Sequence, residues 1–218
     1  MKDIPRFLAG FKKFQRTYFC DDNSFFTDLK QAQTPKVLIV ACSDSRVDPA
    51  ILTGCEPGDM FVVRNVANLV PPYEKTPGNH GVSAAVEYAV KMLAVEHIIV
   101  LGHSCCGGIA ALMQPRRDEL GEFIAPWVEI AGPALAEVNA QLAGKDENLR
   151  QHACEQAAVL VSLENLLTFP WVFERVMRGE VYLHGWYFDL SRGELFSYLP
   201  ETGSFEPLVA RCETDSPA

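Results

Sequence analysis

Three short apolar runs, each ending in a polar loop, frame this chain. Val37 to Ala41, Met60 to Val63 and Ile98 to Leu101 are continuous rather than alternating in apolar residues, which is the pattern of strands covered on both faces. Between the second and third runs, Val82, Ala85, Val86, Ala89, Val90 and Leu93 recur at helical spacing. Glu87 stands four residues before Lys91, so a helix is predicted there. A short helix is expected from about Gly108 to Met113, and Phe123 to Ala143 and Asn148 to Thr168 read as longer ones. In the last of these, Ala153, Ala157, Leu160, Leu163 and Leu167 form the apolar stripe. Pro170 opens a further short helix that Gly179 closes.

Val181 to Phe188 reads as a strand, and Leu195 to Leu199, after the Arg192-Gly193 turn, as its edge hairpin partner. Upstream, Phe7, Phe11 and Phe14 at helical spacing predict one or two helices within residues 1–32. That arm precedes the first core strand, so its stripe packs either on its own domain or on a second subunit. Strands alternating with helices give an α/β fold: a mainly parallel central sheet of about four strands, an antiparallel edge strand and helices on both faces. Neither a repeat nor a dividing linker is visible, and residues 1–218 read as one domain with an N-terminal helical arm.

Composition narrows the partners. With 218 residues, 48% of them hydrophobic, the chain can bury a full core. A net charge of −9 speaks against nucleic acid and against an anionic membrane surface, both of which want a basic patch. The first residues mix charges with aromatics and hold no apolar signal core. The uncharged stretch from His97 to Pro115 is interrupted by Gly102, His103, Ser104, Gly107 and Gly108, which suits a loop better than a membrane span. Seven cysteines without regular spacing make a disulfide framework unexpected, and a reducing cytoplasm is the expected compartment.

Chemistry concentrates at two strand ends. Cys42-Ser43-Asp44-Ser45-Arg46 follows the first run, and His103-Ser104-Cys105-Cys106-Gly107-Gly108 follows the third. Open α/β sheets bind their ligands at the carboxyl ends of neighbouring parallel strands. Two thiolates and one imidazole supply three of the four ligands of tetrahedral zinc and leave one for water, the arrangement of a catalytic site. The paired glycines let the backbone approach a metal closely and open a helix. His80, His97, His152 and His184 read as surface or structural, with His80 a proton-shuttle candidate, and Cys20, Cys55, Cys154 and Cys212 read as ordinary thiols.

These two motifs, with Phe61-Val62-Val63-Arg64-Asn65-Val66-Ala67-Asn68 and Glu87-Tyr88-Ala89, resemble the β-class carbonic anhydrases over nearly the whole chain. The resemblance implies one zinc ion per chain on Cys42, His103 and Cys106, with Cys105 a bystander. It implies reversible hydration of carbon dioxide to bicarbonate and a proton by zinc-bound hydroxide. Asp44 would orient the hydroxide, and Arg46 would hold Asp44 ionised and off the metal. Gln33, Phe61, Val66 and Tyr88 match the family's substrate pocket, with the Gly107 amide as a donor to substrate oxygen. A homodimer that can assemble further, to a tetramer or beyond, is implied as well.

One branch of the family closes its site by swinging the Asp onto zinc, with bicarbonate held beside a Trp three residues before the first Cys ligand. Here that position is Ile39, so the open-site, plant-like branch is expected. Arg64 occurs in both branches, and Val181 and Tyr182 lie near the third member of that pocket.

Three other readings compete. A carbon disulfide hydrolase would share the zinc site. A non-catalytic zinc module would need a fourth ligand from Asp44 or Cys105. A phosphatase-like Cys42 nucleophile with Arg46 would need five residues between them, where this chain has three.

Overall fold

The computed structural model describes residues 3–20, 25–76 and 78–210, so Pro77 and Cys212 lie outside the described residues. The chain divides into two compact units, Met1–Thr34 and Pro35–Ala218. The first holds helices α1 (Asp3–Phe19) and α2 (Phe25–Leu29). The predicted stripe splits there. Phe14 joins an aromatic cluster with Tyr18, at 4.8 Å between ring centroids, and Phe26, at 6.0 Å. Phe7 and Phe11 stay exposed on α1 beside Ile4 and Leu8.

The second unit runs β1 (Val37–Cys42), α3 (Pro49–Thr53), β2 (Met60–Asn65), α4 (Gly81–Glu87), β3 (His97–His103) and α5 (Gly107–Leu112). It continues through α6 (Ile124–Val128), α7 (Gly132–Gln141), α8 (Glu147–Leu167) and α9 (Pro170–Met177) to β4 (Tyr182–Asp189), β5 (Glu194–Leu199) and β6 (Ser204–Val209). The sheet order is β2-β1-β3-β4-β5-β6, with parallel pairing from β2 to β4 and antiparallel pairing beyond. The four parallel strands are those expected, and β6 adds a second antiparallel strand. Its Pro207 cannot donate to a ladder, which an edge strand tolerates. Chain order reverses at β1, between β2 on one side and β3 on the other. That makes the carboxyl ends of β1 and β3 a topological switch point.

One face of the sheet buries Leu38, Val40, Ile98 and Val100 against Val86, Val90, Val159, Leu166 and Phe169. The other face gathers Ile39, Ala41, Ile99 and Leu101. The stripe read on α4 is the buried one, and the helix ends in a π turn over Tyr88–Met92. Two helical readings need correction. Phe123 to Ala143 is not one helix, because Pro133 lacks the N–H that would continue α6 and instead opens α7 after a 3₁₀ turn at Glu129–Ala131. On α8 the buried face runs through Glu155, Ala158, Val159, Ser162 and Leu166, one step round from the predicted stripe. Glu155 and Ser162 make that face partly polar, so apolarity alone pointed to its shoulder. α8 presses close to β3, where a Cβ at Gly102 would sit 2.6 Å from Val159 Cγ2. No single described helix is long and apolar enough to cross a membrane.

Candidate metal centre

β1 delivers Cys42 at its last residue and β3 delivers His103, and the turn into α5 adds Cys106. The ligand atoms of these three lie within 4.8 Å of one another, and the two Sγ atoms are 4.0 Å apart. All three side chains are buried, His103 to 0% exposure. The His103 Nδ1–H donates to the Ser104 carbonyl at 2.9 Å, which leaves Nε2 as the atom facing the sulfurs. That Nε2 is buried and has no hydrogen-bond partner. A buried polar atom without a partner is costly, and a metal ion satisfies it. Two soft thiolates with one imidazole are a donor set that selects zinc. The hydrogen bond between the two sulfurs holds the Cys42 thiol well below the ordinary thiol range. Burial opposes that shift, and His103 and the amides of Asp44 and Ala67 assist it. The same contact, with burial, pushes Cys106 up.

Asp44 stands outside this three-residue group and is taken by Arg46. Its Oδ1 accepts from the Arg46 amide and Nε, both at 2.9 Å, and its Oδ2 accepts from Arg46 Nη2 at 2.6 Å. The guanidinium holds the Asp44 carboxyl well below the usual carboxylate range. Arg64 clamps the same loop from β2, donating to the Cys42 carbonyl at 3.0 Å and the Asp44 carbonyl at 2.6 Å. It also pairs at 2.7 Å with Asp48, the N-cap of α3. Cys105 is exposed and stands outside the three-residue group.

The expected substrate residues are scattered. Val66 opens the turn beside the metal ligands, and Trp127 Nε1 donates to its carbonyl at 2.8 Å. Gly108 packs against that turn, where an added Cβ would lie 2.7 Å from Val66 and 2.9 Å from Ala67. Gly107, by contrast, faces open space, so of the two glycines only Gly108 is required by close approach. Phe61 and Tyr88 stack on each other at 5.7 Å and are not brought to this chain's own metal group. Phe61 precedes Asn65, the register partner of Cys42, by four residues, roughly 13 Å along the strand. Gln33 is exposed and belongs to the first unit.

A family model described as carbonic anhydrase matches residues 37–195. Beta carbonic anhydrase 3 of Arabidopsis thaliana is 40% identical over 195 residues, which cover 87% of this chain and 74% of that one. The chain belongs to the β-class carbonic anhydrases. The chloroplastic beta carbonic anhydrase 5 of the same plant is 44% identical over 84% of this chain, which spans 60% of that protein's length. Among solved structures, the β-carbonic anhydrase CcaA superposes with a TM-score of 0.87 at 33% identity, covering 97% of this chain and 94% of that one. A tetrameric β-carbonic anhydrase of Sordaria macrospora gives 0.72 at 32% identity, covering 89% and 93%.

The carbonic anhydrase site has supports that the sequence reading passed over. Glu155, on α8, accepts the Cys106 N–H at 2.9 Å and is 3% exposed. The available signal was a Glu at the i position of a buried i, i+3, i+4, i+7 face. His97 and His184, read as surface or structural, meet across β3 and β4 at 3.1 Å, far in register from His103. His80 bonds only within its own loop, to Thr76, among the described residues. Cys154 is buried, and burial pushes its thiol up to about 12, as befits a structural thiol.

Proposed function

We propose that this β-carbonic anhydrase hydrates carbon dioxide reversibly at a zinc ion held by Cys42 Sγ, His103 Nε2 and Cys106 Sγ. Zinc held there would lower the pKa of a coordinated water from about 16 toward 7 and supply hydroxide near neutral pH. The observation that carries the reading is the buried three-ligand group with an orphaned His103 Nε2, beside a carboxylate held off it by Arg46. Asp44 is anionic and keeps an unused lone pair, so it would accept a hydrogen bond from the hydroxide that such a zinc supplies and fix its orientation toward carbon dioxide. Arg46 prevents Asp44 from becoming the fourth ligand, and Val66 supplies an apolar wall at the entrance. Stopped-flow hydration of carbon dioxide by the purified chain, with zinc counted by elemental analysis, tests this. Activity that survives complete removal of zinc by a chelator overturns it.

The working unit in this proposal is at least a dimer, with Phe61 and Tyr88 serving a partner's pocket. Their distance from this chain's own metal group and the exposed Phe7 and Phe11 support it. Deleting residues 1–32 removes surface that stabilises association by about 1.5–3 kcal/mol per fully buried Phe. Association and activity should fall together, and a fully active monomer by light scattering would contradict the proposal. The compartment proposed is the cytoplasm, in keeping with six described cysteines that are all free thiols. A fluorescent fusion of the full-length protein that sorted to an organelle would reject it.

A further inference from the structure

The peptide unit between Cys105 and Cys106 is gripped from both sides. Its carbonyl accepts from Arg46 Nη2 at 3.1 Å, and its N–H donates to Glu155 Oε1 at 2.9 Å. A trans peptide is rigid, with its C=O and N–H pointing in opposite directions, so turning one turns the other. The unit needs holding, because Cys105 has φ +57°, a left-handed conformation that strains any residue with a Cβ. Glu155 is nearly sealed from solvent, and its other partners are also neutral donors, Gln151 Nε2 at 2.9 Å and the Tyr187 hydroxyl at 2.7 Å. No cation pairs with it among the described residues. A buried carboxylate without a cation partner is expensive to keep without a task.

We infer that Glu155 is a positioning residue for the Asp44–Arg46 pair, acting through the Cys105–Cys106 peptide. By holding the N–H, Glu155 aims the Cys105 carbonyl at Arg46. Arg46, seated on that carbonyl, keeps its fork on both oxygens of Asp44. The same grip fixes the backbone of Cys106, so metal retention depends on it too. This assignment rests on the zinc-hydration reading above.

A double-mutant cycle tests it. Glu155→Leu should lower kcat about 10–100-fold and speed zinc release to a chelator by a similar factor. Glu155→Gln keeps an oxygen for the Cys106 N–H and should restore most of both. Tyr187→Phe removes a different donor to Glu155, so it should lower the melting temperature and leave kcat and zinc release unchanged. In an Arg46→Ala background, Glu155→Leu should cost less than about threefold further in kcat, because the contact it supports is already gone. Equal factors in both backgrounds, or a Tyr187→Phe variant as slow as Glu155→Leu, would overturn the inference. Should Glu155→Leu not fold, Glu155→Asp, one methylene short of the Cys106 N–H, carries the same comparison. A wild-type chain that binds zinc without hydrating carbon dioxide defeats the functional reading alone, and the zinc-release rates still judge Glu155.

Discussion

The two loops that meet at the metal group are held by opposite means. The Cys42–Arg46 loop is tied by charges near the surface. Asp44 pairs with Arg46 two residues on, and Arg64 reaches over from the neighbouring strand to two carbonyls and Asp48. The His103–Cys106 loop is tied from inside by a sealed carboxylate 49 residues away, which binds through neutral donors. Ties of the first kind are screened by water and salt and can be weakened gradually. Ties of the second kind are costly to leave half-made, because a buried group that loses its partner cannot turn to water. Chemistry that needs an orientable Asp sits on the loop tied at the surface, and two of the three metal donors, His103 and Cys106, sit on the loop tied from inside.

The sharpest break in this comparison falls within the buried loop. Cys106→Ser should lose zinc and activity together, while Cys105→Ser should keep about one zinc per chain, both read by elemental analysis. Equal zinc loss from the two variants would mean that the exposed cysteine takes part in binding.

On the exposed loop, Asp44→Asn should retain zinc and lose about 10²–10³ in kcat, since it removes the anionic acceptor. Its effect on stability should depend on pH. The folded-state carboxyl is depressed by Arg46, so its pairing stabilises the fold above the unfolded value of about 3.9 and is lost as pH falls below that. The urea midpoints of wild type and Asp44→Asn should differ steadily from pH 8 to about 5 and converge below about pH 4. A gap that widened in acid would reverse the sign of this argument.

A smaller effect is expected where the start of α5 meets the turn after β2. Gly108→Ala drives a methyl group into Val66 and Ala67, and such overpacking should cost about 1–3 kcal/mol in a denaturant titration. An unchanged midpoint would show that the turn yields freely.

The gentlest test concerns regulation. Ile39 is fully buried in the sheet, and Arg64 is engaged by the Cys42 and Asp44 carbonyls and by Asp48. Neither is free to hold a bicarbonate ion that favours a closed site, and a ligand shifts an equilibrium only by its differential affinity. Activity should therefore fall in acid in a single non-cooperative step, and added bicarbonate should inhibit without steepening the curve. A pH–rate slope of about two or more would contradict this, since it requires coupled protonations.

By itself the sequence determined the parallel strands and the loops that end two of them. It carried the Cys42, His103 and Cys106 donors and the Asp44–Arg46 pair. Each is local: a continuous apolar run marks a buried strand, and two residues of separation let an Arg fold back on an Asp. Tertiary structure decided the rest. The sixth strand exists because β5 offers an edge that Ser204–Val209 can pair with despite Pro207. The buried face of α8 became readable only with its polar partners in place, the Cys106 N–H and Tyr187 hydroxyl on Glu155 and the Asn68–Val70 backbone on Ser162. Val66 follows the register partner of Cys42 while Phe61 lies four residues before it, because strand register sets which residues reach the carboxyl end of the sheet. Hydrophobic periodicity records what water must be kept from, whereas a single polar contact across 49 residues leaves no periodic trace.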